Sequence, residues 1–274
     1  MSADTATAKT APARENEPVL LRQDRDGVAT LTLNRPKSLN ALSEALLAAL
    51  AETLHGLAED TDARVVVIAG AGRAFSAGHD LGEMLGRKGD QDYFEELFKR
   101  CSAIMSGLLH LPQPVIAKVH GIATAAGCQL VAACDLAVAA ESARFATSGI
   151  NAGLFCMTPG VAVARNLGRK QAFEMLFTGD FVDARTAQSL GLVNRVVPDQ
   201  QLDAEVEKLC GALLSKSSAA LAAGKRVFYR QIEMGLEGAY ELAAREMACN
   251  MLFEDAEEGI GAFLEKRKPA WRHK

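Results

Sequence analysis

Two short segments combine an apolar strand, a turn of small residues and the start of a helix. They are residues 72–80, with the sequence GRAFSAGHD, and residues 121–129, with the sequence GIATAAGCQ. The start of a helix leaves backbone N–H groups without partners, and these groups carry partial positive charge. Two such donors can hold one carbonyl oxygen while negative charge develops on it. The two segments therefore predict a site for chemistry on an activated acyl group.

The order of elements in the first part of the chain is typical of an α/β protein. Runs of β-type residues at 19–23 and 28–33 flank a polar turn, which predicts a hairpin. Ser43 has the character of a helix N-cap, and the leucines that follow at helical spacing predict a helix with one apolar face. Further buried strands are predicted at residues 64–69 and 115–119.

Helices are predicted between these later strands. Asp80 and Glu83 have the spacing of a capping box at the start of a short helix, and a longer helix is predicted from about Asp92 to His110. Strands that alternate with helices favour parallel pairing in one sheet. The expected fold class is therefore α/β.

The pattern changes after Pro198. Residues 200–268 show only helical periodicity, with breaks near Ser215, Gly235 and Phe253. The apolar stripes of these helices either pack on another subunit or dock on the core of the same chain, and the sequence leaves both possibilities open.

The N-terminal residues show no hydrophobic periodicity. We predict a disordered tail at residues 1–17, an α/β core at 18–199 and a helical region at 200–274. The tail lacks both the apolar core of a secretory signal and the arginine-rich, acid-poor composition of an organelle transit peptide. These features predict a cytoplasmic protein.

Several classes of partner are not expected from the composition. The formal net charge of −4 provides no general attraction to nucleic acid or to an anionic membrane. The six cysteines show no Cys-x-x-Cys pair and no histidine at metal-ligand spacing, so no metal is predicted. The glycine-rich turns lack the Gly-x-Gly-x-x-Gly pattern of dinucleotide sites, so no cofactor is predicted either.

Seven motifs in order resemble the crotonase (enoyl-CoA hydratase/isomerase) superfamily, and the likeness extends over residues 19–271. The motifs are residues 33–41, 75–81, 114–121, 128–135, 177–180, 191–198 and 263–267. The resemblance implies a crotonase-like spiral of ββα units with a C-terminal helical trimerisation region, assembled as a homotrimer or a dimer of trimers. It also implies an acyl-CoA substrate, so that coenzyme A enters only as part of the substrate.

The resemblance assigns the two oxyanion donors to the backbone N–H groups of Ala77 and Ala126. Hydratases of this family use two glutamates, whose positions fall on Gln129 and Gly149. A glutamine amide orients water but does not transfer protons near neutral pH, and glycine has no side chain. True hydration is therefore doubtful. Residues 145–160 resemble the mitochondrial "enoyl-CoA hydratase domain-containing" subgroup.

Four other side chains near these positions are candidates for the site. His79 is either catalytic or a solvent-facing or pantetheine-binding residue, because imidazole titrates near physiological pH. For Cys156 a neutral buried thiol is favoured over catalysis, since no basic residue is adjacent in the sequence. Ser148 and Asn151 flank Gly149, and their side chains can hydrogen-bond a carboxylate or a water molecule without transferring protons.

The resemblance also places coenzyme A against basic residues. Arg35 and Lys37 are assigned to its nucleotide end, as are Phe263 and Lys266 from a neighbouring subunit. The basic cluster around Lys266 also fits a solvated helix end. Within the first turn, Gly78, His79 and Asp80 are further expected substrate contacts.

The leading hypothesis is an enzyme, a lyase of the enoyl-CoA hydratase/isomerase family that stabilises a thioester enolate in a backbone oxyanion hole. Decarboxylation, a retro-Claisen step or thioester hydrolysis fits such a site better than hydration. The alternative is a non-catalytic trimer that binds acyl-CoA or acts as a scaffold.

Overall fold

The computed structural model describes residues 17–274. Residues 1–16, which make up nearly all of the predicted tail, lie outside this part. The strands are β1 (Leu20–Arg25), β2 (Val28–Leu33), β3 (Val65–Gly70), β4 (Val115–Val119), β5 (Ile122–Thr124), β6 (Leu136–Ala140), β7 (Arg144–Ala146), β8 (Val182–Asp183) and β9 (Arg195–Val197). The helices are α1 (Glu44–Glu59), α2 (Leu81–Leu85), α3 (Gln91–His110), α4 (Ala126–Ala133), α5 (Met157–Asn166), α6 (Arg169–Thr178), α7 (Ala184–Leu190), α8 (Leu202–Leu214), α9 (Ser218–Gln231), α10 (Leu236–Asn250) and α11 (Glu254–Leu264).

The strands form two sheets. The larger sheet has the order β1-β2-β3-β4-β6-β9, and all its pairs are parallel except the β1–β2 hairpin. The smaller sheet has the order β5-β7-β8. Asp26 and Gly27 close the hairpin with φ values of 51° and 80°, the left-handed conformation that a two-residue hairpin turn requires. The predicted hairpin and the predicted parallel pairing are both confirmed.

Leucine spacing explains how α1 packs on the larger sheet. The Ser43 hydroxyl accepts a hydrogen bond from the Leu46 N–H at 3.2 Å, so the predicted N-cap is confirmed. The leucines of the predicted apolar face are all buried: Leu46, Leu47, Leu50, Leu54 and Leu57. They belong to the main hydrophobic core together with β2 and β3 residues such as Leu31 and Ile68.

The C-terminal region is helical, with breaks close to the predicted positions. Leu202, Val206 and Leu209 of α8 pack on Val65 and other residues on one face of the larger sheet. By contrast, α9 and α10 contain no buried residue, and Leu252 after α10 is 86% exposed. The apolar face of α8 therefore docks on the core of the same chain, whereas the apolar residues at the end of α10 stay exposed among the described residues.

One buried ion pair fastens α9 to the core. Lys225 of α9 donates to Asp135 at 2.6 Å and to the carbonyls of Leu108 and Gln113 at 2.8 and 2.9 Å. Tyr229, one turn later, donates its hydroxyl to the other Asp135 oxygen at 2.7 Å. Every hydrogen of the Lys225 ammonium group thus has an acceptor.

Within residues 17–274, each helix is too short or too polar to cross a lipid bilayer.

Candidate functional site

The two glycine turns of the sequence lie against each other. Gly78 has a φ of 92°, and a Cβ atom there would lie 2.9 Å from the Ala125 Cβ and 3.1 Å from the Ala126 nitrogen. A Cβ atom on Gly127 would collide with the Ser76 carbonyl oxygen. Glycine is therefore required on both sides of the contact, because the backbones approach more closely than side chains permit.

Hydrogen bonds fix the relative position of the turns. The Ser76 N–H donates to the Ile122 carbonyl at 3.1 Å, and the Thr124 N–H donates to the Ser76 carbonyl at 3.0 Å. These bonds make a parallel bridge between Ser76 and Ala123. The start of α4 is thereby held beside residues 76–79.

The first turn has a free donor, but it is not the one that was expected. The Ala77 N–H donates to the Leu39 carbonyl at 2.9 Å, so it is not available to a ligand. Leu42 bridges the neighbouring residues, since its N–H donates to the Gly78 carbonyl at 2.7 Å and its carbonyl accepts from the Asp80 N–H at 3.3 Å. The His79 N–H between them has no acceptor within residues 17–274. The expectation of a free Ala77 N–H is therefore wrong, and the free N–H of this turn belongs to His79.

The second turn supplies a donor at the predicted residue. Ala126 is the first residue of α4, and its N–H has no acceptor in the described part of the chain. Ala125 before it has φ 50° and ψ −120°, a conformation that costs a non-glycine residue about 1–3 kcal/mol. Strain of this kind is commonly held at functional sites.

Of the two positions expected for the hydratase glutamates, Gln129 is buried and Gly149 is half-buried. Gln129 is 3% exposed, and its amide oxygen has no hydrogen-bond partner in residues 17–274. A Cβ atom at Gly149 would collide with the Leu154 carbonyl oxygen and lie 2.8 Å from the Cys156 sulfur. The segment from Leu154 to Cys156 therefore occupies the space that a side chain at position 149 would need.

The two ring nitrogens of His79 are shielded from water, although the residue as a whole is half-buried. Neither ring nitrogen has a hydrogen-bond partner among the described residues, and the ring meets Phe98 of α3 edge to face at 5.5 Å between centroids. Burial lowers the pKa of His79 to about 4, although the nearby Leu42 carbonyl opposes the shift. The imidazole is therefore neutral at physiological pH.

This burial predicts an acid-sensitive contribution to stability. The unfolded chain binds the His79 proton near pH 6.5 and the folded chain only near pH 4, so stability falls as the pH falls through this window. Between pH 7 and pH 5 the wild type should lose about 2 kcal/mol of unfolding free energy relative to His79→Gln. Urea unfolding of both proteins at both pH values measures the difference, and parallel losses would contradict the burial of a neutral imidazole.

Cys156 has a thiol that resists ionisation. It is buried and precedes α5, and burial raises its pKa although the Gly149 N–H partly opposes the shift. The pKa of Cys128, on α4, is raised by burial to about 12. Neither sulfur is therefore poised as a nucleophile or base near neutral pH.

The two polar residues that flank Gly149 differ in availability. The Ser148 hydroxyl lies 2.7 Å from the Thr124 hydroxyl, next to the second turn. The Asn151 amide instead donates to the Gly179 carbonyl at 3.3 Å, at the end of α6. Ser148 therefore remains near the donor pair, whereas Asn151 is engaged in holding its own loop.

Arg35 and Asp80 hold the first turn from its outer side. The Arg35 guanidinium donates to the Ala41 carbonyl at 2.7 Å and pairs with the Asp80 carboxylate at 2.9 Å. Burial alone would raise the pKa of Asp80, but hydrogen bonds from Arg35 and backbone N–H groups lower it below its usual range. The structure therefore commits Arg35 to Asp80 and not to a phosphate, whereas Lys37 is exposed.

Only one half of the predicted capping box is present. Asp80 accepts from the Gly82 and Glu83 N–H groups at 3.1 and 3.4 Å and so caps α2. Glu83 does not return to Asp80, because its carboxylate accepts from the Glu44 N–H at 2.8 Å, at the start of α1. The interpretation of Glu83 as the partner of Asp80 was therefore wrong.

The C-terminal candidates are exposed on a single chain. Phe263, near the end of α11, is 81% exposed, and Lys266 follows it with a φ of 55°. Their predicted role at the nucleotide end of coenzyme A depends on a neighbouring subunit. In the described residues no cluster of His, Cys, Asp or Glu has the arrangement of a metal site.

Two residues important to the site were not identified as such from the sequence. Asn40 is fully buried, and Ser76 hydrogen-bonds to it. Asn40 lies in the motif at residues 33–41, and this place was the signal that could have identified it. Only the basic residues of that motif, Arg35 and Lys37, were given a role from the sequence. Both side chains act on the backbone of the first turn.

Comparison with known proteins places this chain in a family. The model of the enoyl-CoA hydratase/isomerase family matches residues 23–274. Enoyl-CoA hydratase domain-containing protein 3, mitochondrial, of Rattus norvegicus is 45% identical over 260 residues, which cover 94% of this chain and 86% of that relative. The crystal structure of the human domain-containing protein 3 is 44% identical with a TM-score of 0.90, and the match covers 92% of this chain and 100% of that chain. An enoyl-CoA hydratase structure from Mycobacterium smegmatis is 60% identical with a TM-score of 0.91, over 93% of this chain and 99% of that chain.

The chain therefore belongs to the enoyl-CoA hydratase/isomerase family, within the crotonase superfamily and its enoyl-CoA hydratase domain-containing subgroup. The predicted crotonase-like fold is confirmed by these structures. The predicted cytoplasmic location is wrong by the same comparison, because the vertebrate relatives are named as mitochondrial proteins.

Proposed function

We propose that this protein binds an acyl-CoA and holds its thioester oxygen between the N–H groups of His79 and Ala126. The observation that carries the proposal is that these two donors lack acceptors within residues 17–274 and belong to turns in direct contact. Donors fixed in advance stabilise a developing oxyanion without reorganising during the reaction. The product of such stabilisation is an enolate of the acyl group.

The side chains around the donors favour reactions that need no paired carboxylates. His79, Gln129, Ser148 and Thr124 are uncharged at neutral pH, and Gly149 offers no side chain. In a decarboxylation the breaking C–C bond releases CO2 and leaves its electron pair on the α-carbon, the thioester oxygen takes the charge, and a proton from water completes the acyl-CoA product. A retro-Claisen cleavage gives the same enolate after water has added to the β-carbonyl carbon, which leaves as a carboxylic acid. The enzyme is thus proposed to be an acyl-CoA lyase.

A non-catalytic acyl-CoA binding or scaffolding protein is the second candidate. It is supported by the environments of His79 and Cys156, which disfavour the protonated imidazole and the thiolate respectively. Incubation with crotonyl-CoA, malonyl-CoA, methylmalonyl-CoA, a β-keto ester and a long-chain ester, followed by mass spectrometry, separates the two candidates. Turnover of any ester supports the enzyme, and binding without turnover supports the second candidate.

Ala126→Pro should abolish acyl-CoA binding. Proline at the first position of a helix is tolerated, but it removes the N–H that is assigned to the thioester oxygen. Titration calorimetry with butyryl-CoA measures the loss, and circular dichroism confirms that the variant is folded. Undiminished affinity in a folded Ala126→Pro protein would contradict the assignment of this donor.

The helical C-terminal region is proposed to form a homotrimer or a dimer of trimers. Large apolar side chains remain exposed on or beside α9, α10 and α11, among them Phe228, Met247 and Phe263. Soluble monomers rarely expose so many large apolar groups in one region. Light scattering at micromolar concentration should give three or six times the mass of the 29.1 kDa chain. A monomer that still binds acyl-CoA would contradict the cross-subunit role of Phe263 and Lys266.

A further inference from the structure

We propose that Asn40 and Ser76, together with the Arg35–Asp80 ion pair, are positioning residues that set the direction of the His79 N–H. Arg35 would then help to support the oxyanion donor and would not be a ligand for the phosphates of coenzyme A. This inference rests on the proposed function, because it concerns the donor assigned there to the thioester oxygen.

Asn40 makes the central hydrogen bonds between residues 35–42 and the first turn. It is fully buried, and its amide donates to the carbonyls of Ala71 and Ala74 at 2.8 and 2.7 Å. Its side-chain oxygen accepts from the Arg35 N–H at 2.9 Å. Both side-chain polar atoms of Asn40 thus have partners. The amide links residues 35–40 to the loop at residues 71–74, which leads into the first turn.

The backbone of the turn is attached to this segment at successive residues. The Ser76 hydroxyl donates to the Asn40 carbonyl at 2.9 Å and accepts from the Gly78 N–H at 3.3 Å. The Ala77 N–H and the Gly78 carbonyl bond to Leu39 and Leu42 respectively. Because the Ala77 N–H and both backbone polar groups of Gly78 have partners, the His79 N–H is left without an acceptor among the described residues and in a fixed direction.

The far side of His79 is held in the same way. The Asp80 N–H bonds to the Leu42 carbonyl, and the Asp80 side chain pairs with Arg35, which also donates to the Ala41 carbonyl. The free N–H is therefore supported before and after by the same short segment. Hydrogen bonds weaken steeply when the angle at the hydrogen becomes strongly bent. The support therefore determines the strength of the hydrogen bond that the His79 N–H donates to an oxygen.

The supporting segment has an unfavourable backbone conformation. Leu39 and Asn40 have φ values of 51° and 54°, in the left-handed region that costs free energy for residues other than glycine. The leucine side chain in particular cannot make the local hydrogen bonds that help asparagine to adopt this conformation. The two left-handed residues place the Leu39 and Asn40 carbonyls against Ala77 and Ser76, which is the arrangement that leaves His79 free.

Infrared spectroscopy of a bound ester measures the donor directly. The probe is butyryl-CoA labelled with 13C at the thioester carbonyl, whose stretching band moves to lower wavenumber when the oxygen accepts hydrogen bonds. We expect the wild type to produce this shift and Asn40→Ala to lose most of it. The affinity of Asn40→Ala for butyryl-CoA should fall by only about 5-fold, the value of one neutral hydrogen bond.

Gln113 provides a matched control. It is a buried amide that also donates to two carbonyls, those of Leu57 and Asp60, at 2.7 and 3.0 Å. Gln113→Ala should lower stability in a similar way but retain the full band shift. Equal loss of the shift in both variants would assign the effect to general destabilisation and overturn the inference.

The remaining outcomes are also decisive. A full band shift in Asn40→Ala refutes the positioning role alone. Absence of a shift in the wild type refutes the proposed function, and the inference with it. Should Asn40→Ala not fold, Ser76→Ala replaces it, because this change removes only the two bonds of the Ser76 hydroxyl, to the Asn40 carbonyl and from the Gly78 N–H. An unchanged shift in Ser76→Ala would likewise overturn the inference.

Discussion

Hydration of crotonyl-CoA by this protein should be at least about 10³-fold slower than by a family hydratase that carries both glutamates. General acid and base groups each contribute about 10²–10⁴-fold to such reactions. Here Gln129 and Gly149 occupy the two positions, and neither transfers protons. The measurement is the loss of ultraviolet absorbance of the conjugated thioester, with a two-glutamate hydratase as the reference. Ordinary turnover by the pure protein would show that another residue supplies the protons.

Substitution should not restore hydration easily. Gln129→Glu returns one carboxylate but leaves the second role empty, so its rate should stay far below that of the reference. Gly149→Glu should fail for a different reason, because its Cβ would collide with the Leu154 carbonyl and crowd the Cys156 sulfur. We expect Gly149→Glu to disturb the segment from Leu154 to Cys156 and to lower stability. Hydratase turnover in a folded Gln129→Glu, Gly149→Glu double variant would contradict this account of the loop.

The sequence predicted the parts of the fold that depend on local patterns. Leucine spacing after Ser43 identified α1 and its buried face, and the polar turn before Gly27 identified the hairpin. Both signals arise from residues close together in the chain. The breaks between the C-terminal helices, at Ser215 and Gly235 for example, were predicted for the same reason.

Local sequence did not show which N–H of the first turn lacks an acceptor. Ala77 and His79 lie in the same turn of small residues, and either N–H is free as far as the turn itself decides. The difference between the two N–H groups arises from Leu39, which lies 38 positions earlier in the sequence. Its carbonyl accepts the hydrogen bond of the Ala77 N–H and leaves that of His79 without an acceptor. The same limit explains Arg35, whose charge suggested a phosphate but whose partner is Asp80. Long-range backbone contacts decided both cases.

At position 149 the residue type was evident from the sequence, but the space around it was not. The absence of a glutamate there was evident from the sequence. The loss of the space for one was not, because it follows from how residues 150–156 fold back on Gly149. The position therefore lacks both the carboxylate and the space for one, because residues 154–156 fill the volume that a side chain at position 149 would occupy.

Lys225→Met should lower the unfolding free energy by about 3–5 kcal/mol, the largest stability effect expected for a single residue outside the site. The side chains of Lys225 and Asp135 are only 7% and 14% exposed, and their ion pair measures 2.6 Å. Methionine preserves the aliphatic stem but leaves two backbone carbonyls without their donor. It also removes the cation paired with the Asp135 carboxylate, which keeps only its hydrogen bonds from Tyr229 and the Val115 N–H. An uncompensated buried charge costs more than the pair itself contributes. We expect the docking of α9 on the core to be weakened first.

Lys118 provides the control for this prediction. Its ion pair with Asp203 has a similar length, 2.7 Å, but the Asp203 side chain is 77% exposed. Exposed pairs contribute about 0–1 kcal/mol, so Lys118→Met should change stability little. Urea unfolding of both variants at one protein concentration gives the comparison, with concentration fixed because assembly alters apparent stability. Equal losses in the two variants would show that water screens the Lys225–Asp135 pair and that α9 is held to the core mainly by its apolar contacts.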